Sequence, residues 1–181
     1  MTNSIAFNAR AISTFTTANK LYRIFIVGSE LCFVKIGGQG GLAEGAAAGL
    51  TSQFGLLGGL VGAAIGSAIT TPAKKRQDAS VAQADRMDPR TLATTGKDNF
   101  LATVRDVIKS TLDPAPIFGG HGKCFGRWQL HLRGDRKFTL QFENIDDMKC
   151  AVENLPKVLA PRLQVNVQWD EKHQGYTGKK G

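Results

Sequence analysis

Residues 37–69 read GGQGGLAEGAAAGLTSQFGLLGGLVGAAIGSAI and hold about half of the chain's 21 glycines. Glycines recur four residues apart at Gly37, Gly41, Gly45 and Gly49, and again at Gly58, Gly62 and Gly66. On a helix this spacing puts them on one face, so that another backbone can approach closely. Leu42–Gly49 is alanine-rich, Thr51-Ser52-Gln53 punctuates it, and Phe54–Ile69 is apolar or glycine apart from Ser67. The stretch therefore predicts two short helices with small faces, a glycine zipper, joined near Thr51–Gln53. A membrane-spanning helix needs about 20 apolar residues. Phe54–Ile69 is shorter, although Thr70 and Thr71 extend it and Lys74-Lys75-Arg76 stands where a cytoplasmic anchor would. Spanning, peripheral insertion, self-association and internal packing all remain open for Gly41, Gly45, Gly49, Gly58, Gly62 and Gly66.

The remainder reads as one α+β domain over 21–170, interrupted by the apolar insert at 38–72 and a polar linker at 73–97, which admits an exposed helix from about Gln77 to Met87 closed by Pro89. A flexible leader at 1–20 and a disordered tail at 171–181 flank it. Leu21–Val27 and Leu31–Ile36 are rich in aliphatic and aromatic residues and predict two strands. Gly28-Ser29 between them suits a two-residue type II′ turn with glycine first. An aromatic-rich strand, a tight turn and a strand ending Phe33-Val34-Lys35-Ile36-Gly37 resembles the opening hairpin of bacterial PH-like (GRAM-type) domains. The resemblance covers about seventeen residues. It implies a small barrel or roll that binds lipids, peptides or partner proteins without catalysis. It carries over no binding residues, because no phosphoinositide-type basic motif stands in this hairpin.

Further on, Phe100, Leu101, Val104, Val107, Ile108 and Leu112 fall on an i, i+3, i+4 stripe. They predict a core-facing helix over Asp98–Leu112, capped by Asp98 and stopped by Asp113-Pro114. Arg127–Arg133 and Lys137–Glu143 alternate cleanly and predict an antiparallel hairpin with one wet face, turning at Gly134-Asp135-Arg136. Asn144 caps a helix whose stripe is Ile145, Met148, Ala151, Val152 and Leu155, with Pro156 interrupting its last turn. Leu163–Trp169 is a last alternating strand. The expectation is an antiparallel sheet of about five strands packed on two helices.

The net charge of +8 favours anionic partners. The basic, amide-rich wet face offers Arg127, His131, Arg133 and Lys137 as an anion-binding set, beside Gln129, Thr139, Gln141, Gln164, Asn166 and Gln168. A nucleic-acid surface of this kind normally supplies aromatic rings for stacking, and this face has none. The three cysteines, Cys32, Cys124 and Cys150, form no C-x-x-C pair, which argues for a reducing compartment and against a disulfide framework. No secretory h-region occurs in Met1–Lys20, so a cytoplasmic protein is expected, membrane-associated if the insert engages a bilayer. His121 and Cys124 are spaced H-x-x-C but lack a second pair with zinc-ligand spacing, so no metal is expected. Gly119-Gly120-His121-Gly122 precedes a strand, not a helix, and so lacks the context of a phosphate loop. Arg133-Gly134-Asp135 reads as a turn. No nucleophile–base pair can be assembled from three scattered histidines, so neither catalysis nor a cofactor is expected. The favoured function is a non-enzymatic interaction or adaptor protein, associating with a membrane or with itself through the insert. The alternative is a soluble nucleic-acid-binding module using the basic sheet face.

Overall fold

The computed structural model describes residues 5–12, 20–38, 73–116 and 124–179. The zipper glycines from Gly41 to Gly66 and the loop carrying His121 lie outside the described residues. The protein is α+β. Its strands are β1 (Ile5–Ala11), β2 (Lys20–Val27), β3 (Glu30–Gly38), β4 (Phe100–Thr103), β5 (Val107–Asp113), β6 (Gly126–Leu132), β7 (Arg136–Phe142), β8 (Leu163–Val165), β9 (Val167–Asp170) and β10 (Gly175–Gly178). Its helices are α1 (Ala73–Ala84), α2 (Pro89–Thr95) and α3 (Ile145–Leu159). Eight strands make one sheet in the order β4-β3-β2-β1-β7-β6-β5-β8, and β9 and β10 form a separate hairpin. Every neighbouring pair in the large sheet is antiparallel except β5 and β8. No ladder joins β4 to β8 among the described residues, so the sheet is open and not a closed barrel.

The Gly28-Ser29 turn forms as the sequence predicts. Val27 pairs with Glu30, and Gly28 takes a φ of 59° while Ser29 does not enter the left-handed region. The β6–β7 hairpin is also as expected, with Leu130 opposite Phe138 and Trp128 opposite Leu140. Its turn needs left-handed backbone at Gly134 and Asp135 (φ 75° and 56°), which glycine and aspartate tolerate. The α3 cap is likewise legible: the Asn144 side chain accepts from the Asp146 amide, and the helix continues through Pro156 to Leu159.

Other expectations are corrected. The helix expected over Asp98–Leu112 is instead β4, a one-turn 3₁₀ segment (Val104–Asp106) and β5. Its apolar residues serve two faces. Phe100 and Ala102 join one core and Leu101 the other, a demand that a single helical stripe cannot meet. Asp98 caps nothing there. Asp106 closes the 3₁₀ turn, accepting from the Thr103 amide at 2.9 Å and the Thr103 hydroxyl at 2.6 Å. The leader carries β1, which pairs with β2 from Ile5 to Ala11 and buries Phe7 and Ala9. The linker carries α1, where the sequence admits an exposed helix from about Gln77 to Met87, and then α2, which it does not predict. Pro89 opens α2, whose first turn is capped when Asp88 accepts from the Thr91 amide at 2.9 Å. The tail carries β10, held by Tyr176 against Trp169 at 5.2 Å between ring centroids. The strand expected over Leu163–Trp169 divides into β8 and β9, and the sheet has eight strands instead of about five.

Two apolar clusters flank the sheet. Leu21, Phe25, Cys32, Val34 and Ile36 pack with Ala84, Leu92 and Ala93 of α1 and α2. On the other face Phe7, Ile24, Phe33, Leu112, Trp128, Leu130, Leu140 and Phe142 meet Met148, Ala151, Leu155 and Leu159 of α3. The sheet rolls around this second core: Phe100 of β4 stacks on Phe138 of β7 at 4.9 Å, with the Arg136 guanidinium 4.7 Å from the Phe100 ring. The roll follows from connectivity, because only Val104–Asp106 separates β4, on one edge, from β5, next to the other. β1 parts from β7 after Arg10 and Ala11, and α3 serves its open edge. There the Asn8 amide donates to Asp147 Oδ1 at 2.8 Å.

Candidate functional site

Among the described residues, the half of the sheet made by β7, β6, β5 and β8 leaves one face open, opposite the α3 core. Cross-strand pairing arranges its side chains in rows. The first runs Lys109, His131, Lys137, and the second Gln164, Thr111, Gln129, Thr139. The third runs Asp113, Arg127, Gln141 and, from β1, Arg10. Of the expected anion-binding set, the structure brings His131 and Lys137 directly opposite one another. Arg127 sits at the far end of the hairpin, and Arg133 falls in the turn beyond β6. Lys137 is also 3.2 Å from Asp135. The wet face is not uniformly wet: Gln141 is fully buried, where Arg10 of β1 crosses it to a two-pronged pair with Glu143 at 2.6 and 2.9 Å.

Between β6, β5 and β8 the face forms a cleft of about 300 Å³, lined by Lys109, Ser110, Thr111, Asp113, Gln129, His131, Gln164 and Asn166. Four of these were legible as polar residues of the sheet face. Lys109, Thr111 and Asp113 are hidden by the apolar stripe that predicts a helix up to Leu112. The signal for them was the alternation of Lys109, Thr111 and Asp113 with Ser110 and Leu112. A bulge in β5 between Val107 and Lys109 sets the cleft's rim, turning both Ile108 and Lys109 outward, with Ile108 62% exposed.

Asp113 organises the floor. Its Oδ2 accepts from the Thr111 hydroxyl at 2.7 Å and from Gln129 Nε2 at 3.2 Å, and its Oδ1 accepts from Asn166 Nδ2 at 2.6 Å. The backbone of Asn166 is fixed at both groups: its amide donates to Leu112 O at 2.8 Å, and its carbonyl accepts from the Lys179 amide at 3.0 Å. Beneath the floor, Trp128 Nε1 donates to Ser110 Oγ at 2.7 Å inside the core. The side chains of Lys109, His131 and Gln164 have no such partner among the described residues. The arrangement is preorganised at its carboxylate end and open at its cationic end.

Other candidates are dispersed. Among the described residues no group of three or more His, Cys, Asp or Glu side chains could hold a metal ion. Burial pushes the Cys32 thiol up to about 11 and also raises the thiols of Cys124 and Cys150. They are thiols at neutral pH, not nucleophilic thiolates. A further charged cluster sits where residues 39–72 leave β3. Lys20 and Lys35 clamp Asp98 at 2.7 and 2.6 Å, and the Tyr22 hydroxyl donates to Asp98 O at 3.1 Å. Among the described residues no helix is long and apolar enough to cross a membrane. The chain matches no family model, no curated protein and no solved structure.

Proposed function

We propose that the chain is a non-enzymatic binding and adaptor module, a PH-like roll that associates with a membrane or with copies of itself through residues 38–72. The observation that carries this reading is where the insert joins the fold. It leaves from the end of β3, beside the Lys20–Asp98–Lys35 clamp, and rejoins at α1. β3 on one side of it is laddered to both β2 and β4, so the strand order continues across the gap. An apolar, glycine-rich sequence joined to a sheet whose strand order continues without it is suited to associate with something else. The PH-like comparison draws support from the Gly28-Ser29 hairpin, the rolled sheet and a helix packed into its core. Three strands, β8, β9 and β10, follow that helix and depart from the pattern.

The nucleic-acid reading is less well supported. The basic row is three residues wide, the next row is neutral and the third sets Asp113 directly opposite Arg127, so the face offers a polyanion no continuous basic tract. The test is fractionation of the full chain and of a version with residues 39–72 replaced by a Gly/Ser linker. Bilayer association requires that the full chain alone needs detergent for release from membranes. Self-association requires that the full chain alone is oligomeric. If both proteins stay free of membranes and monomeric, the proposal fails. Salt-sensitive retention on immobilised RNA by both would favour the nucleic-acid reading instead.

A further inference from the structure

We infer that the cleft between β5, β6 and β8 binds an anionic monosaccharide, its anionic group at Lys109 and His131 and its hydroxyls at the Asp113 end. The cleft has two chemically different ends. Lys109 and His131 are opposite one another, with Lys137 next in the same row, and present N–H donors that no side chain occupies among the described residues. Four residues along β5, about 13 Å by strand rise, Asp113 presents a carboxylate. A carboxylate has about four acceptor sites. Thr111 and Gln129 take two on Oδ2 and Asn166 takes one on Oδ1, leaving one on Oδ1 for an incoming hydroxyl. Between the ends, Gln129 and Gln164 flank Thr111 in one row. Their planar amides, each both donor and acceptor, suit neighbouring hydroxyls that also donate and accept.

Size and charge narrow the class. About 300 Å³ is the lower end of small-ligand pockets, room for one sugar ring and its anionic group. A polyanion would extend over Asp113, and a neutral sugar would leave the cationic end unused. A cation would have one carboxylate, already largely engaged, and two basic groups against it. The anion can be a phosphate or a carboxylate, both of which Lys109 and His131 recognise by charge-assisted hydrogen bonds.

The test is calorimetric titration of the full chain with glucose 6-phosphate, glucuronate, glucose and inorganic phosphate. One of the two charged sugars is expected to bind at least about tenfold more tightly than glucose or inorganic phosphate. Which of them does so identifies the anion. Lys109→Met is expected to weaken the charged sugar about tenfold, and Gln164→Ala several-fold. Lys149→Met, which removes an equal charge from exposed α3, should leave binding unchanged. Both cleft positions are exposed, so thermal melts should stay level with the parent. The inference is overturned if inorganic phosphate matches the sugars, or if no probe saturates by about 10 mM. It is also overturned if either cleft variant binds like the parent.

Discussion

Asp98→Asn is the most direct probe of the clamp at the base of the insert. Lys20 and Lys35 each approach one carboxylate oxygen within hydrogen-bond distance, and together they hold the Asp98 carboxyl down at about 2, against 3.8 ordinarily. A depression of that size corresponds to about 2.4 kcal/mol if nothing screens it. The aspartate is 26% exposed and the lysines about a third, so solvent and side-chain entropy reduce the figure to about 1–1.5 kcal/mol. Removing the charge also leaves two ammonium groups facing each other. For a chain of this length the expected loss is about 3–6 °C in Tm at pH 7. The pH dependence has a definite sign. The folded-state value lies below that of the unfolded chain, so the contribution is fully present above about pH 4. It is lost as the pH falls through about 2. Urea unfolding of parent and variant at pH 7, 4 and 2.5 should therefore show a gap that narrows only at the lowest pH, and 1 M salt should narrow it at pH 7. A gap that persists unchanged into acid, or no gap at neutral pH, would refute the charge argument and leave Asp98 a merely steric residue.

Other substitutions test other parts of the fold. Asp147 is shifted the opposite way, upward by burial, while it accepts the Asn8 amide. Its ionised form is therefore disfavoured by folding, and its protonation preference aids stability at low pH and fades as the pH rises through the folded-state value. Asp147→Asn keeps an acceptor for Asn8 and sheds the desolvated charge. It should lower Tm at pH 7 by less than Asp98→Asn, whereas Asp147→Leu should cost about 1–2 kcal/mol more. Gly126→Ala would bring a Cβ to 2.6 Å from Met148 Cε and 3.1 Å from Asp113 O. The methionine tip can move but the carbonyl cannot, so a loss of about 1–3 kcal/mol in chemical denaturation is expected. Trp128→Phe removes the indole donor to buried Ser110 and should cost about 2–3 kcal/mol, read by denaturation followed by circular dichroism. Cys32 is fully buried with a raised thiol, so iodoacetamide should label it only under denaturing conditions. Rapid native labelling would contradict its placement.

Much of the C-terminal half is legible in the chain because each element there has one buried face. Trp128, Leu130 and Leu132 alternate against Arg127, Gln129 and His131, and Asn144 marks its helix unambiguously. Periodicity fails where β4 serves both cores and where the β5 bulge turns Ile108 outward. Phe100, Leu101, Val104, Val107, Ile108 and Leu112 fit a helical stripe. Partners distant in the chain decide otherwise: Phe33 and Cys32 for β4, Trp128 and Leu130 for β5. β1 escapes notice because three alanines dilute its alternation, although Phe7 and Ala9 are buried and Asn8 and Arg10 are not. The cleft inherits both cases. Gln129, His131 and Gln164 lie on strands and Asn166 in the break between β8 and β9, all within segments that alternate in the sequence, whereas Lys109, Thr111 and Asp113 are visible only once β5 is a strand.

The pairing of β1 with β7 also has a consequence for how the chain is made. Arg10 meets Gln141, so β1 is made long before the strand that pairs its second edge. β2 can zip onto β1 and β3 onto β2 early, but the other edge of β1 stays unsatisfied until β7 and α3 follow. The last element to serve that edge is α3, through Asp147 at the Asn8 amide and Cys150 at the Ala6 carbonyl. Nascent chains stalled before Asp147 should therefore expose a ready template for strand addition. Release from that hazard comes with the helix, after both hairpins have been made.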